Sequence, residues 1–446
     1  MTSERLYSET HRPQFHFTPK KNWMNDPNGL VYYKGEYHLF FQHNPTGIQS
    51  GNTSWGHAVS QDLVHWQQLE HALMPDELGT IFSGSAVVDW SNTSGFQRGD
   101  EELLVALYTS AGKPFTQSLA YSNDRGRTWI KCEENPVLGH VKGSNRDPKV
   151  IWHVPTQKWI MALFLDGNDY ALFGSTNLTK WAHLSDICLP GASECPDLFE
   201  LAVDGDASNT RWIFWGGNSG YAIGTFDGVT FKQESEVLRA ELGASGYAAQ
   251  TYSDIPEQDG RRIQISWMNG GEYPGMPFNQ QMSFPQELIL RSFPEGLRIC
   301  RQPVEEIGLL HDRVHTWEHC TLAAGQSLIP ETDCELFDIR AEVEADPAAA
   351  FGVWLRGLDL HCDFKDKRIS FLGQTVPMAP VDGRVKLRIL VDRTSLEVFV
   401  HDGRLTMSFC FLPDAADHNL VFCAENGTVN IRSLSVHELR SAWQKA

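Results

Sequence analysis

Short apolar runs and stretches of strict apolar/polar alternation recur along the whole chain, each bounded by Gly, Asn, Asp or Pro. The 3.6-residue spacing of an amphipathic helix is nearly absent, its best candidate being the short segment Val304-Glu305-Glu306-Ile307-Gly308-Leu309-Leu310. The pattern predicts an all-β chain. One hairpin end repeats: Ser60-Gln61-Asp62-Leu63-Val64-His65-Trp66, Ser122-Asn123-Asp124-Arg125-Gly126-Arg127-Thr128-Trp129, Ser175-Thr176-Asn177-Leu178-Thr179-Lys180-Trp181, and a weaker Thr225-Phe226-Asp227-Gly228-Val229-Thr230-Phe231. Each supplies a small hydroxyl residue, an Asx to close the turn and an aromatic to pack on the returning strand. The starts lie 62, 53 and 50 residues apart, the length of a four-stranded propeller blade at ~40 to 50 residues plus loops.

Apolar runs follow Asp26, Phe82-Ser83-Gly84-Ser85, Arg146-Asp147-Pro148, Glu194-Cys195-Pro196-Asp197 and Gly246-Tyr247-Ala248-Ala249, which gives a five-bladed β-propeller over residues 1–300. The first strand of a propeller blade lines the central channel, so this register gathers Asp26, Asp147 and Glu194 around one pocket. The stretch Trp23-Met24-Asn25-Asp26-Pro27-Asn28-Gly29-Leu30 reads as a strained turn that delivers Asp26 to the strand Leu30-Val31-Tyr32-Tyr33. Residues 301–318 read as a linker. Beyond them longer alternating strands, such as Phe337 to Val343 and Val385 to Val391, and a hairpin turning at His401-Asp402-Gly403 predict a β-sandwich over residues 319–446.

Composition narrows the function classes. A chain of 446 residues with 41% apolar content and 14 tryptophans has material for two cores. A net charge of -19 argues against nucleic acid and anionic membranes as partners, whereas a neutral polyol is indifferent to it. Nine cysteines without a CxxC pair read as reduced, buried thiols. The polar start Met1-Thr2-Ser3-Glu4-Arg5-Leu6-Tyr7 lacks the apolar core of a signal peptide, and no stretch approaches the ~18 to 20 apolar residues of a membrane span. The expectation is a cytoplasmic protein, or an extracellular one if a leader was trimmed.

Carboxylates around a channel with few cations and no phosphate loop suit cleavage of a glycosidic bond. One carboxylate attacks or stabilises the anomeric carbon while a carboxylic acid protonates the leaving oxygen. Calcium is the competing use for three acids. It gathers ligands at close, alternating spacing, which these acids lack, so neither a metal nor a cofactor is expected.

Six motifs in order carry a resemblance: Trp23-Met24-Asn25-Asp26-Pro27-Asn28-Gly29, Phe40-Phe41-Gln42-His43-Asn44-Pro45, Trp55-Gly56-His57-Ala58, Phe82-Ser83-Gly84-Ser85, Arg146-Asp147-Pro148 and Glu194-Cys195-Pro196-Asp197. With Val391-Asp392-Arg393-Thr394-Ser395-Leu396-Glu397-Val398-Phe399 near the end, the whole chain resembles glycoside hydrolase family 32, the β-fructofuranosidases that include invertases, inulinases and levanases. The resemblance implies a retaining hydrolase that releases terminal fructose from sucrose, fructo-oligosaccharides, inulin or levan. Asp26 would be the nucleophile, Glu194 the general acid and then base, and Asp147 the stabiliser of the transition state, kept ionised by its neighbour Arg146. It further implies that Trp23, Met24, Asn25, Gln42, Trp55, Phe82, Ser83, Arg146 and Trp267 bind substrate. Core packing is the competing reading for Trp55, Phe82 and Trp267. Gln286 stands where the family commonly has arginine, which removes a bidentate cation and bears on fine specificity. A fructosyltransferase using the same site and a non-catalytic fructan-binding propeller are the alternatives; oligomeric state is not legible.

Overall fold

The computed structural model describes residues 6–413 and 419–443; Met1 to Arg5 of the polar start lie outside the described residues. The fold is nearly all β, with only the short 3-10 helices Val154–Thr156 and Glu305–Leu310 among the described residues. Three sheets form consecutively, led by the strands Asn22–Tyr33, Thr80–Asp89 and Arg146–His153, antiparallel except where Asn22 and Trp23 pair in parallel with Phe278 and Asn279. A nine-stranded sheet follows, led by Asp197–Val203, and reaches Tyr247–Thr251 through the parallel pairing of Val203 with Leu290. Two six-stranded sheets close the chain face to face over a core that includes Phe337, Phe351, Leu387 and Phe422. This layout fits a propeller followed by a β-sandwich.

The repeated hairpin ends have a common chemistry. Asp62 Oδ1 accepts the N–H groups of Val64 and His65, Asp124 Oδ1 that of Thr128, Asn177 Oδ1 those of Thr179 and Lys180, and Asp227 Oδ1 those of Val229 and Thr230. The indoles of Trp66, Trp129 and Trp181 each donate to a carbonyl of their own turn, at Leu63, Gly126 and Leu178. Side chain and turn thus fix one another, which is why the pattern recurs at the surface with so little variation.

The five leading strands are laced to one another by polar groups that have no ladder partner. Asn28 Oδ1 accepts the Gly84 N–H, Ser85 Oγ donates to the Pro148 carbonyl and accepts from Val150 N, Lys149 pairs with Asp197, and Asp197 accepts from Thr251 N. A parallel bridge between Val31 and Ser253 closes the ring. Gly84 sits where no side chain fits, since a Cβ there would lie 2.0 Å from the Leu107 carbonyl oxygen. The stretch around Asp26 is extended and not a turn: it runs inside the strand Asn22–Tyr33, with register breaks between Met24 and Pro27 and between Asn28 and Val31. These bulges supply the local kink that the Asn-Asp-Pro sequence signalled.

Two sequence expectations change at the joint between propeller and sandwich. The segment read as linker runs, from His311, into the strand His311–Leu322, which is hydrogen-bonded to Val429–Leu439 of the sandwich. Its edge position leaves most of its side chains in solvent, and no alternation marks it. Gln286 does not approach the acids. Its Nε2 donates to Glu397 Oε1 at the joint, so specificity does not turn on it directly.

The joint itself centres on His16. Its two ring nitrogens lie 2.8 Å from Asp392 Oδ2 and 2.9 Å from Glu397 Oε2, with all three side chains fully buried. Asp392 also accepts the backbone N–H groups of Gln14, Phe15 and His16. The two carboxylates hold His16 up at about 9 despite burial, which alone would lower it, against ~6.5 for a free imidazole. A raised histidine contributes stability that is complete below ~6.5 and lost as pH rises through the folded value, here roughly 3 kcal/mol in all. Urea unfolding should therefore show stability falling between about pH 7 and pH 9.5, with a clearly smaller fall in His16→Gln; equal slopes would contradict the assignment.

Candidate active site

The leading strands end together around a cavity of about 380 Å³. Its lining includes Asp26, Asp147 and Glu194, from three different strands or strand entries, with Arg146 as their single lining cation. Trp23, Asn25, Gln42, Phe82, Ser83 and Trp267 join them, so ten of the sequence-predicted site residues meet in one place. Two do not. Met24 is fully buried in the core with Phe17, Phe41 and Met282, because neighbours on a strand point to opposite faces. Trp55 is also fully buried, packed on Phe40 and Tyr108, and its indole donates to the Phe82 carbonyl at 3.0 Å. It braces the strand that carries Phe82 without facing the cavity.

Asp26 is held by two donors. Ser83 Oγ reaches Asp26 Oδ2 at 2.5 Å and is itself donated to by Gln42 Nε2, while Asn25 Nδ2 reaches Asp26 Oδ1 at 3.1 Å. Trp23 Nε1 in turn donates to Asn25 Oδ1. Burial pushes the Asp26 carboxyl up, the Ser83 and Asn25 hydrogen bonds pull it down, and the charge of Glu194 adds to the rise.

Asp147 lies deepest, its side chain 7% exposed against 33% for Glu194. Its backbone has φ +63, and Glu194 and Cys195 follow at +53 and +30. Left-handed backbone at three non-glycine residues is strain concentrated where the acids enter the cavity. The Asp147 N–H donates to Thr109 Oγ1 and its Oδ2 accepts from the Cys195 N–H, which holds the bend. Cys195 Sγ sits 3.5 Å from Asp147 Oδ2 and 3.7 Å from Asp26 Oδ2, a small neutral spacer between two acids whose thiol burial pushes well up. Burial raises the Asp147 carboxyl to about 7, against the opposing charge of Arg146.

Arg146 serves two acids. Arg146 Nη2 lies 2.5 Å from Glu194 Oε1, whereas its Nε is 3.6 Å from Asp147 Oδ2. Nη1 is spent on Ser144 and the guanidinium rests over the Phe164 ring. The other oxygen of Glu194 accepts the Tyr247 hydroxyl at 2.6 Å. Tyr247 escaped the sequence reading, as did the loop residues Ser50 to Thr53 and Thr80 that complete the lining. Its place at the start of the fifth leading strand, equivalent to that of Asp147, was the available signal. Tyr247 and Trp23 both stand edge-on to Trp267, and these rings form an aromatic rim.

Arranged so, one carboxyl is clamped by hydroxyl and amide donors, another is oriented by a cation and a phenol at the open side, and a third sits at the floor. That set can attack a carbon, protonate a departing oxygen and hold sugar hydroxyls.

Comparison with known proteins bears on this. The family description "Glycosyl hydrolases family 32 N-terminal domain" matches residues 16–303, and "Glycosyl hydrolases family 32 C terminal" matches residues 358–438. A levanase of Bacillus subtilis (strain 168) is 42% identical over 98% of this chain and 72% of its own length. An extracellular exo-inulinase of Aspergillus niger is 33% identical over 98% of this chain and 96% of its own. The crystal structure of an exo-inulinase from Aspergillus awamori superposes with a TM-score of 0.88 and 31% identity, covering 98% of this chain and all of that one.

The burial of Asp147 gives a direct test. A carboxyl resonance should titrate near pH 7 and vanish from the spectrum of Asp147→Asn. Because the folded value is raised, ionising this group as pH rises destabilises the fold. Asp147→Asn should accordingly melt above the wild type at about pH 8, with a smaller difference at about pH 5; no pH dependence of that difference would refute the burial argument.

Proposed function

The chain belongs to glycoside hydrolase family 32 and is a β-fructofuranosidase-type glycosyl hydrolase, and from that premise we propose that it releases terminal fructose from sucrose and fructans by a retaining double displacement. The observation that carries the reading is the meeting of Asp26, Asp147 and Glu194 in one cavity with Arg146 as the lining cation. In this account Asp26 attacks the anomeric carbon of the terminal fructose. Its hydrogen bonds from Ser83 and Asn25 stabilise the carboxylate against burial, which keeps it available as a nucleophile.

Glu194 protonates the leaving oxygen and then deprotonates the incoming water. Arg146 and Tyr247 hold its carboxyl from both oxygens, so that it faces the open side where the leaving group departs. Asp147, at the floor, accepts hydrogen bonds from fructose hydroxyls that tighten as positive charge develops on the ring. A cavity of this size, with Asp147 as its most buried acid, takes the end of a chain, which makes the enzyme exo-acting on levan- or inulin-type polymers.

We count five blades, dividing the nine-stranded sheet at the single Val203–Leu290 pairing, so that each blade contributes one leading strand to the channel. The propeller then occupies residues 1–300, the connection 301–318 and the sandwich 319–446, with the sandwich's edge strand already begun in the connection.

Kinetics on sucrose and chromatography on levan and inulin test the reading together. Asp26→Asn should lower kcat by at least ~10³-fold with a folded protein, and fructose should be the sole early product from polymer. Wild-type turnover in Asp26→Asn, or a ladder of oligosaccharide fragments, would overturn it. Tyr247→Phe should lower kcat more than it changes KM, because it frees the acid and not the fructose; a change confined to KM would place Tyr247 in substrate binding instead.

A further inference from the structure

A second cavity, of about 760 Å³ against about 380 Å³ for the acid-lined one, has no part in the chemistry described above. The leading strands connect the two. The strand Arg146–His153 gives Arg146 and Asp147 to the acid cavity and Lys149, Ile151, Trp152 and His153 to the other, and Tyr247–Thr251 gives Tyr247 to the first and Thr251 to the second. At ~3.3 Å per residue, Asp147 and His153 are about 20 Å apart along the strand, so the second cavity opens at the far end of the channel.

Its walls carry polar groups with unused capacity. Arg262 donates one bond, from Nη1 to the Tyr252 carbonyl, and its guanidinium lies over the Phe199 ring without an ion pair among the described residues. Most of its five donors are therefore unspent among the described residues. Trp90, Trp152 and Trp212 add aromatic faces. Trp90 is 56% exposed, and its Nε1 bond to Asp254 Oδ1, at 2.8 Å, holds the ring at the rim.

The charges select the ligand class. Lys149 is already neutralised by Asp197 and donates to the Thr251 carbonyl. Arg262 is thus the one free cation among the lining residues, facing Glu200, Asp254 and Glu257. That excess of carboxylates repels an anion. Donors and acceptors interleaved between indole faces fit the hydroxyls and C–H faces of a neutral sugar.

We propose that this cavity is a second saccharide site, which holds a neutral sugar or short oligosaccharide without cleaving it. Asp254 serves the wall there, its two oxygens accepting Trp90 Nε1 and the Val88 N–H. A fructan strand seated on it is anchored to the face opposite the acids. The choice of a fructose probe rests on the β-fructofuranosidase reading; the site itself does not.

Equilibrium dialysis of the full chain against radiolabelled fructose, which no hydrolase of this kind consumes, counts the sites. The wild type should bind two equivalents, and Trp90→Ala should lose one while keeping kcat on sucrose within about twofold. Glu200→Gln, a gentler change at the exposed wall, should weaken the same equivalent several-fold and serves if Trp90→Ala does not fold. One equivalent in all three proteins, or none, overturns the second site. Displacement of the Trp90-dependent equivalent by inorganic phosphate overturns its assignment to sugars. A single equivalent that Trp90→Ala abolishes would sustain this site and count instead against fructose binding at the acids.

Discussion

One guanidinium shared between two of three crowded carboxyls is the interaction on which the rest of this protein depends. Arg146 touches Glu194 at hydrogen-bond distance and lies near Asp147, while Asp26 relies on neutral donors alone. Acids crowded this closely repel one another and resist desolvation, so they stay together only where the surrounding frame leaves them no alternative. The lacing of the leading strands supplies that frame. Asn28, Ser85, Lys149 and Asp197 each cross from one strand to the next. Loss of any one loosens the ring that sets the distances between the acids.

The frame also absorbs strain. Left-handed backbone at Asp147, Glu194 and Cys195 costs stability, on the order of 1 to 3 kcal/mol per residue. That expense is tolerable beside a large buried core and a sandwich welded to the propeller by His16, Asp392 and Glu397. In this account the sandwich acts on catalysis indirectly: Phe15, Phe17 and Met24 pack in the same core as Leu390 and Phe399, so the strand that carries Asp26 rests on the sandwich. A buried ionic cluster is weak evidence for stability by itself, but one that ties the N-terminal segment to a sheet nearly 400 residues later fixes how the two units meet.

Much of this was legible in the sequence because the features involved are local. The hairpin ends are written in single Asx and Trp residues, and each acid sits in a turn-forming or proline-bearing motif of its own. Features that depend on partners distant in sequence were less accessible. Trp55 and Met24 share motifs with cavity residues, yet strand alternation and packing turn them into the core. Arg146 adjoins Asp147 in sequence, yet the left-handed bend at Asp147 swings its guanidinium towards Glu194. Tyr247 follows a glycine in a run that reads as a plain apolar strand, and only the ring closure brings it to Glu194. The edge strand from His311 went unseen because its side chains lie mostly in solvent and carry no alternation.

In the proposed mechanism Asp26 forms the bond to fructose while Glu194 moves the proton. Azide rescue separates these roles in one measurement, by NMR of the adducts that Asp26→Ala and Glu194→Ala form from an aryl β-fructofuranoside. The account predicts the inverted, α-configured fructosyl azide from Asp26→Ala, because azide replaces the missing nucleophile, and the retained, β-configured adduct from Glu194→Ala. A β-configured adduct from Asp26→Ala would contradict it.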